Sequence, residues 1–228
     1  MYKKSIKREI KNKITTFKNF FRFILYSHKF PPFFQYKSEK LKYFVHYYNK
    51  TWANSRSVEI PIALYWLEKY KNKKILEIGN VLSSYIKINH TIIDKYDIRR
   101  SSKTISEDIV DFKSDIKYDL ILSISTFEHI GIDEAPFESD KVIKAFKSIK
   151  NLLVDDGIAI ITAPYGYNSC LNGLIENTFF DKIIFYYKNK QWFEESKIDR
   201  IKEFSSYFLS EYKKNVIILE LKKDDIIL

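Results

Sequence analysis

The chain contains little cysteine, glycine, proline or histidine, and each shortage excludes a class of protein. Cys170 is the only cysteine among 228 residues, so no disulfide can form within the chain. Five glycines and five prolines exclude collagen-like repeats and long flexible linkers. Four histidines show no metal-ligand spacing, so we expect no metal site. This composition fits a globular protein of a reducing compartment, and we expect a cytoplasmic location.

The net charge of +10 is concentrated at one end of the chain. Residues 1–50 contain 13 Lys or Arg against only Glu9 and Glu39, which gives this segment a net charge of +11. The remaining 26 basic and 27 acidic residues leave residues 51–228 close to neutral. We therefore divide the chain into a basic, aromatic helical arm over residues 1–50 and a domain over residues 51–228.

Apolar residues of the arm recur at three- and four-residue steps, which predicts a helix before Pro31-Pro32 and a second, short helix after it. One interpretation is that the first helix packs its aromatic face on the domain. An alternative is that residues 1–34 lie on an anionic membrane surface as a peripheral contact. Nucleic acid is a less favoured partner because no binding module accompanies the basic residues. A spanning helix is not expected because Lys18 and Arg22 interrupt the apolar run.

Strand and helix patterns alternate through the domain. We predict helices over 56–70 and 138–151, with Ser57 as the N-cap of the first and Pro61 in its first turn. Predicted strands cover 74–78, 90–93, 118–124 and 158–163, with a short helical piece at 80–86 and an Asp155-Asp156-Gly157 turn. Two further strand candidates, 183–187 and 216–221, would close one edge as an antiparallel pair. The pattern predicts an α/β fold, a Rossmann-like, doubly wound, mainly parallel sheet with an antiparallel C-terminal edge.

Polar residues follow several of these strands at the edge where open parallel sheets bind ligands. Gly79 follows the first strand and would let a ligand approach the backbone closely. Asp94 ends the second strand, where a carboxylate can bind both hydroxyls of a ribose. Asp108 and the Ile109 backbone would read an adenine. A dinucleotide-binding domain is disfavoured because the Gly-x-Gly-x-x-Gly pattern is absent.

With these motifs in this order, the chain resembles the class I S-adenosylmethionine-dependent methyltransferases over roughly residues 56–170. Leu76-Glu77-Ile78-Gly79 is similar to the first motif of that family, and Leu152 to Gly157 is similar to its helix-to-strand turn. Asn80 and the downstream Tyr85 are similar to a subgroup with a Glu-Ile-Gly-Asn motif. The resemblance implies S-adenosylmethionine as cofactor. It also implies a set of cofactor-binding residues, namely Glu77, Gly79, Asn80, Tyr85, Asp94, Asp108, Ile109 and Ser125.

The candidate catalytic residues follow the fourth-motif strand. A hydroxyl acceptor needs a base, and we name His129 and Glu128 for this role because histidine transfers protons near neutrality. Tyr165 and Tyr167 would line the acceptor pocket. Glu77 has a second interpretation, in which its buried carboxylate holds the neighbouring turn.

Two functions remain open from the sequence. The first is a methyltransferase acting on a small molecule or glycan-type acceptor. The second is a catalytically degenerate binding or scaffold protein of the same fold, because Val81 to Tyr85 replace the second glycine of the usual first motif. The sequence makes no prediction of the acceptor or of an oligomeric state.

Overall fold

The computed structural model describes residues 32–97, 103–178, 180–188, 191–195 and 215–226. The helix predicted before Pro31-Pro32 lies outside the described residues, and so does the proposed membrane contact over residues 1–34, except for residues 32–34. Among the described residues, no helix is long and apolar enough to cross a membrane.

Within the described residues, ten strands form one two-stranded hairpin and one eight-stranded sheet. The hairpin consists of β1 (Phe33–Tyr36) and β2 (Glu39–Lys42). The sheet has the order β5-β4-β3-β6-β7-β10-β8-β9. Its strands, in chain order, are β3 (Ile75–Ile78), β4 (Thr91–Ile93), β5 (Thr104–Ile105), β6 (Tyr118–Ile124), β7 (Leu153–Ala163), β8 (Asp181–Lys188), β9 (Gln191–Glu195) and β10 (Asn215–Lys222).

The sheet is parallel from β5 to β7 and antiparallel beyond it, which confirms the predicted fold class. The predicted antiparallel pairing of the two C-terminal strands is also confirmed, with Val216 opposite Phe185. β10, the last strand in the chain, lies between β7 and β8, and β9, which was not predicted, forms the outer edge. β6 is nearly continuously apolar because both of its faces are buried.

Helices cover the two faces of the sheet and bury separate apolar clusters. α2 (Lys141–Leu152) and α3 (Ser169–Asn177) belong to one cluster, and α1 (Arg56–Lys69) belongs to the other. The apolar side chains of α2 recur at helical steps and are buried, which sets the face that it turns to the sheet. They are Val142, Ala145, Phe146, Ile149 and Leu152. Short 3₁₀ turns occur at Tyr48–Ala53, Leu82–Ser84, Phe127–His129 and Lys223–Asp225.

The prediction of a second short helix in the arm is wrong over residues 33–42, which form the β1–β2 hairpin. Alternate side chains of β1 are buried, and Tyr36 is fully enclosed. The Tyr36 hydroxyl donates to Glu220 Oε1 at 2.6 Å and accepts from Trp66 Nε1 at 2.9 Å. Burial, together with the Glu220 carboxylate, raises the pKa of Tyr36 well above its usual range. The period-2 burial and this buried polar link favour a strand over a helix at this position.

The start of α1 differs from the prediction. The helix begins at Arg56, so Ser55 rather than Ser57 is the N-cap, and Pro61 lies within the helix rather than in its first turn. Proline lacks the N–H that would bond the carbonyl four residues earlier, here that of Ser57. The Phe44 N–H donates to that carbonyl at 2.9 Å. Pro61 thereby frees an acceptor that docks the chain after the hairpin onto α1.

The predicted Asp155-Asp156-Gly157 turn is wrong as well, because β7 already begins at Leu153. Tyr118 pairs with Leu153, and Leu120 pairs with Ile158. An advance of two residues along β6 therefore corresponds to an advance of five residues along β7. The three polar or small residues form an irregularity inside the strand rather than a turn before it.

Candidate active site

A cavity of about 310 Å³ lies at the carboxyl ends of β3, β4 and β6. The strand order reverses at β3, since β4 lies on one side of it and β6 on the other. This reversal is the point at which open α/β sheets bind ligands. Seven of the predicted site residues line the cavity, namely Gly79, Asn80, Asp94, Asp108, Ile109, Ser125 and His129.

Glu77 does not line the cavity but holds the loop that does. Its carboxylate is fully buried, and Oε1 accepts the N–H groups of Val81 at 3.0 Å and Leu82 at 2.8 Å. Its other oxygen lies 2.9 Å from His90 Nε2. This geometry supports the structural interpretation of Glu77, in which the carboxylate orders the turn after β3.

The backbone donors of this loop are used within the protein. The Gly79 N–H donates to the Ile93 carbonyl at 2.7 Å, and the Asn80 N–H donates to Asp94 Oδ2 at 2.8 Å. With Val81 and Leu82 bonded to Glu77, four successive amides have partners. Phosphate-binding loops instead aim such amides at the ligand. The loop therefore fits a ligand without a phosphate group at this position.

Gly79 is required by the close approach of the neighbouring loop. Its φ is +83°, and an added Cβ would lie 2.1 Å from Thr126 Oγ1. Both the left-handed backbone and this contact exclude a larger residue. The glycine thus brings the β3 and β6 loops together along one wall of the cavity.

Asp94 and Asn80 form a polar corner of the cavity. Asp94 Oδ1 accepts the N–H groups of Tyr96 at 2.9 Å and Asp97 at 3.0 Å, in addition to the Asn80 contact made by Oδ2. The Asn80 amide donates to Asp97, and its own oxygen is buried without a partner. A buried acceptor of this kind is costly unless a donor meets it, so it fits a hydroxyl-bearing ligand.

Asp108 belongs to a cluster of four charged side chains in the wall of the cavity. Lys141 Nζ donates to Asp108 Oδ2 at 2.5 Å and also bonds Glu134. Lys95 joins both acids, 3.0 Å from Asp108. Burial alone would raise the pKa of Asp108, but the two lysines hold it below its usual range. Asp108 is therefore ionised, and it orders this wall as well as facing the cavity.

Tyr85 is not brought to the cavity. Its ring packs among Phe44, His46 and Tyr48, with centroids 5.4–5.6 Å apart. It belongs to the α1 side of the sheet, where it adds to the aromatic packing beneath the chain that follows the hairpin.

His129 lies at the rim of the cavity within an ordered chain of polar groups. Its Nδ1 bonds Asp133, and the Tyr167 hydroxyl donates to the same carboxylate oxygen at 2.8 Å. The hydrogen bond from His129 is the main cause that holds the pKa of Asp133 below its usual range. A proton on Nδ1 leaves Nε2 as the basic nitrogen of the neutral ring. The arrangement is suited to a general base. Tyr165, by contrast, is buried and bonds Glu176, away from this rim.

Glu128 is buried beside His129 but does not line the cavity. Its Oε1 lies 3.7 Å from His129 Nε2, and its Oε2 is buried without a partner. The pKa of Glu128 is raised to about 8, mainly by burial. The nearby Glu59 also raises this pKa, whereas Arg56 lowers it. Glu128 therefore lies beside His129 Nε2 as a buried acid outside the cavity lining.

The sequence analysis missed the buried carboxylate of Glu59, in the first turn of α1. Glu59 Oε1 accepts from Ser125 Oγ at 2.6 Å and Thr162 Oγ1 at 2.5 Å, and Oε2 pairs with Arg56 at 3.1 Å. Ser125 is held at φ +38°, a strained value for a residue other than glycine. Glu59 therefore fixes the end of β6 at the cavity. An acid among the apolar residues of a helix is the signal that could have identified it.

In the part of the chain that the structure describes, no group of three or more His, Cys, Asp or Glu could hold a metal ion.

No protein-family model matches the sequence, and a search of curated proteins found no match. Solved structures of S-adenosylmethionine-dependent methyltransferases are similar to the chain. One from Clostridium acetobutylicum is 14% identical with a TM-score of 0.36, over 69% of this chain and 88% of that chain. The N-methyltransferase NodS from Bradyrhizobium japonicum, in complex with S-adenosylhomocysteine, is 12% identical with a TM-score of 0.41, over 74% and 92%. The plantazolicin methyltransferase BpumL is 13% identical with a TM-score of 0.40, over 71% and 80%. Similarity at this level assigns no reaction, and the function proposed below is inferred from the site of this chain.

Proposed function

We propose that the chain is an S-adenosylmethionine-dependent methyltransferase that acts on a small-molecule or glycan-type acceptor. One observation carries the proposal. The cavity at the reversal of strand order gathers a hydroxyl-binding corner, Asp94 and Asn80, and an oriented base, His129. A cavity of about 310 Å³ is at the lower end of the size range of ligand sites and suits a nucleoside-sized cofactor.

The residues present fit this cofactor better than a dinucleotide. S-adenosylmethionine carries no phosphate, and the amides of residues 79–82 leave no donors for one. Asp94, with the unpartnered Asn80 oxygen beside it, would hold the ribose hydroxyls. Asp108 and the Ile109 backbone would meet the adenine.

When bound, the cofactor supplies an electrophilic methyl group on a sulfonium sulfur. His129 Nε2 would take the proton of the acceptor hydroxyl, whose oxygen would receive the methyl group while the methyl–sulfur bond breaks and leaves a neutral thioether. Asp133 keeps Nδ1 protonated and stabilises the imidazolium that results. The His129 side chain is 49% exposed, so the proton can pass from Nε2 to solvent before the next turnover.

The acceptor would enter from the His129 side of the cavity. Tyr167 packs edge-on against the His129 ring with centroids 5.0 Å apart, and the exposed Tyr96 lines the same cavity. Two aromatic surfaces beside a base suit the apolar face of a small molecule or a sugar ring. The contact of residues 1–34 with a membrane stays a prediction from the sequence.

Calorimetric titration with S-adenosylhomocysteine tests cofactor binding. We expect micromolar to submillimolar binding that Asp94→Asn weakens by about tenfold or more, because a charge-assisted hydrogen bond contributes about 1.5–3 kcal/mol. Asp156→Asn, at an exposed position in β7, is the matched control and should bind like the unaltered protein. If neither S-adenosylmethionine nor S-adenosylhomocysteine gives binding heat at millimolar concentration, the proposal of an enzyme is refuted.

Release of S-adenosylhomocysteine across a panel of hydroxyl and amine acceptors tests turnover. His129→Gln should lower kcat by about 10²–10⁴-fold while leaving cofactor affinity unchanged, as expected for a lost general base. Cofactor binding without turnover on any acceptor would instead favour the degenerate binding protein.

A further inference from the structure

A second and larger cleft lies at the opposite end of the parallel strands. Its volume is about 640 Å³, and it is lined by the residues that begin β3, β4 and β6 and by the end of α1. None of the residues that line the proposed cofactor cavity lines this cleft. The cleft is therefore a separate pocket from the proposed cofactor cavity.

The rim of the cleft is strongly basic. Five lysines line it, namely Lys71, Lys73, Lys74, Lys87 and Lys103. Two of them form ion pairs with acids: Lys71 lies 2.7 Å from Glu68, and Lys73 lies 3.7 Å from Asp119. Lys74 and Lys87 are exposed and have no ion-pair partner within the described ranges. The cleft therefore holds an excess of positive charge that an anionic group would balance.

The floor of the cleft is apolar. Isoleucines from β3 and from the loop before β4 line it, together with the ring of Tyr118. Ile116, at the edge, is 51% exposed. An apolar floor beneath a ring of ammonium groups matches a ligand that has an apolar body and an anionic head.

We propose that this cleft binds a phosphate ester carried on an apolar body. Lysine ammonium groups bind phosphate as point charges that need no fixed fork geometry, which suits five long side chains around an open rim. The same chemistry occurs in a membrane phospholipid and in a soluble organic phosphate, and the experiment separates the two sources.

The test uses the full chain and three probes. Calorimetry measures the binding of octyl phosphate, inorganic phosphate and octyl trimethylammonium. Sedimentation then measures binding to phosphatidylcholine vesicles prepared with or without 30 mol% phosphatidic acid. We expect octyl phosphate to bind more tightly than inorganic phosphate and the cation not to bind. The double variant Lys74→Gln, Lys87→Gln should weaken octyl phosphate binding by about tenfold or more, given two lost charge-assisted contacts.

The double variant Lys144→Gln, Lys147→Gln is the matched control. It removes the same charge from exposed positions on α2, on the other face of the sheet, and should bind octyl phosphate like the unaltered protein. Because the basic residues 1–50 can also attract acidic vesicles, the two double variants are compared in sedimentation. Octyl phosphate binding with vesicle sedimentation that only Lys74→Gln, Lys87→Gln weakens identifies a lipid, and octyl phosphate binding without such a difference in sedimentation identifies a soluble ester.

Absence of octyl phosphate binding overturns the proposal. An equal loss of octyl phosphate affinity in both double variants overturns it as well. Thermal unfolding by circular dichroism verifies that each variant is folded. Because none of the substituted lysines lines the cofactor cavity, S-adenosylhomocysteine binding should be the same in the unaltered protein and in both double variants. Failure of that binding would count against the methyltransferase alone.

Discussion

The buried carboxylate of Glu77 gives the sharpest test of how the site is built. Replacing it with alanine removes the acceptor of two loop amides and the partner of His90. A buried donor left without an acceptor costs about 1–3 kcal/mol. Leu82 becomes such a donor, whereas the partly buried Val81 N–H keeps the Gly79 carbonyl, 3.0 Å away, as an acceptor. We therefore expect Glu77→Ala to lower the free energy of unfolding by about 1–3 kcal/mol.

The loss is large against the whole stability of a domain, which is about 5–15 kcal/mol. For a chain of this length, each kcal/mol corresponds to about 2–4 °C in Tm. We therefore expect Tm to fall by at least about 2 °C. Urea unfolding followed by circular dichroism measures the free energy, and a thermal scan measures Tm.

Two variants sharpen the result. Glu77→Gln keeps one acceptor oxygen for the amides and should lose less than half as much stability as Glu77→Ala. Glu68→Ala, in which the lost carboxylate is exposed, should change the free energy of unfolding by at most about 0.5 kcal/mol. If Glu77→Ala cost under about 1 kcal/mol, the loop would not depend on this carboxylate and the reasoning would be refuted.

Two further predictions concern the same region. Because burial raises the pKa of Glu128 to about 8, the native protein binds this proton at pH values where the unfolded chain has lost it. Stability should therefore fall as the pH rises from about 5 to about 8, and Glu128→Gln should flatten this slope in urea unfolding; equal slopes in both proteins would contradict the assignment. Gly79→Ala should lower stability by about 2–4 kcal/mol through the left-handed backbone and the contact with Thr126. Gly173→Ala, in α3 with open space around it, should instead raise stability by about 0.5–1 kcal/mol. Urea unfolding curves measure both changes, and a similar change in both variants would contradict the prediction.

The elements that the sequence predicted well are those with local signals. The continuous apolar run of β6 and the helical spacing of α2 each depend on a few neighbouring residues. The hairpin over residues 33–42 was misassigned because its strands are four residues long and its burial is decided by Trp66 and Glu220, which are distant in sequence. Short strands of this kind carry too little periodicity to be separated from a helix.

The residues of the candidate site divide in the same way, into those with a local signal and those placed by distant contacts. Gly79, Asp94 and Asp108 follow strands, and the order of strands alone brings them to one edge of the sheet. Glu59 and Tyr85 depend on tertiary packing. Glu59 bonds Thr162, which is 103 positions away, and Tyr85 turns to aromatic residues that precede α1. No spacing rule relates residues so far apart.

Glu77 also connects the two ends of the sheet. One carboxylate oxygen bonds the loop beside the proposed cofactor cavity, and the other bonds His90, which lines the lysine cleft. A ligand in the cleft that displaces the His90 ring would alter the restraint on the cavity loop. Thermodynamic reciprocity then requires cofactor binding to change the affinity of the cleft by the same factor. A single buried side chain thus makes the two cavities a potential pair of communicating sites rather than independent ones.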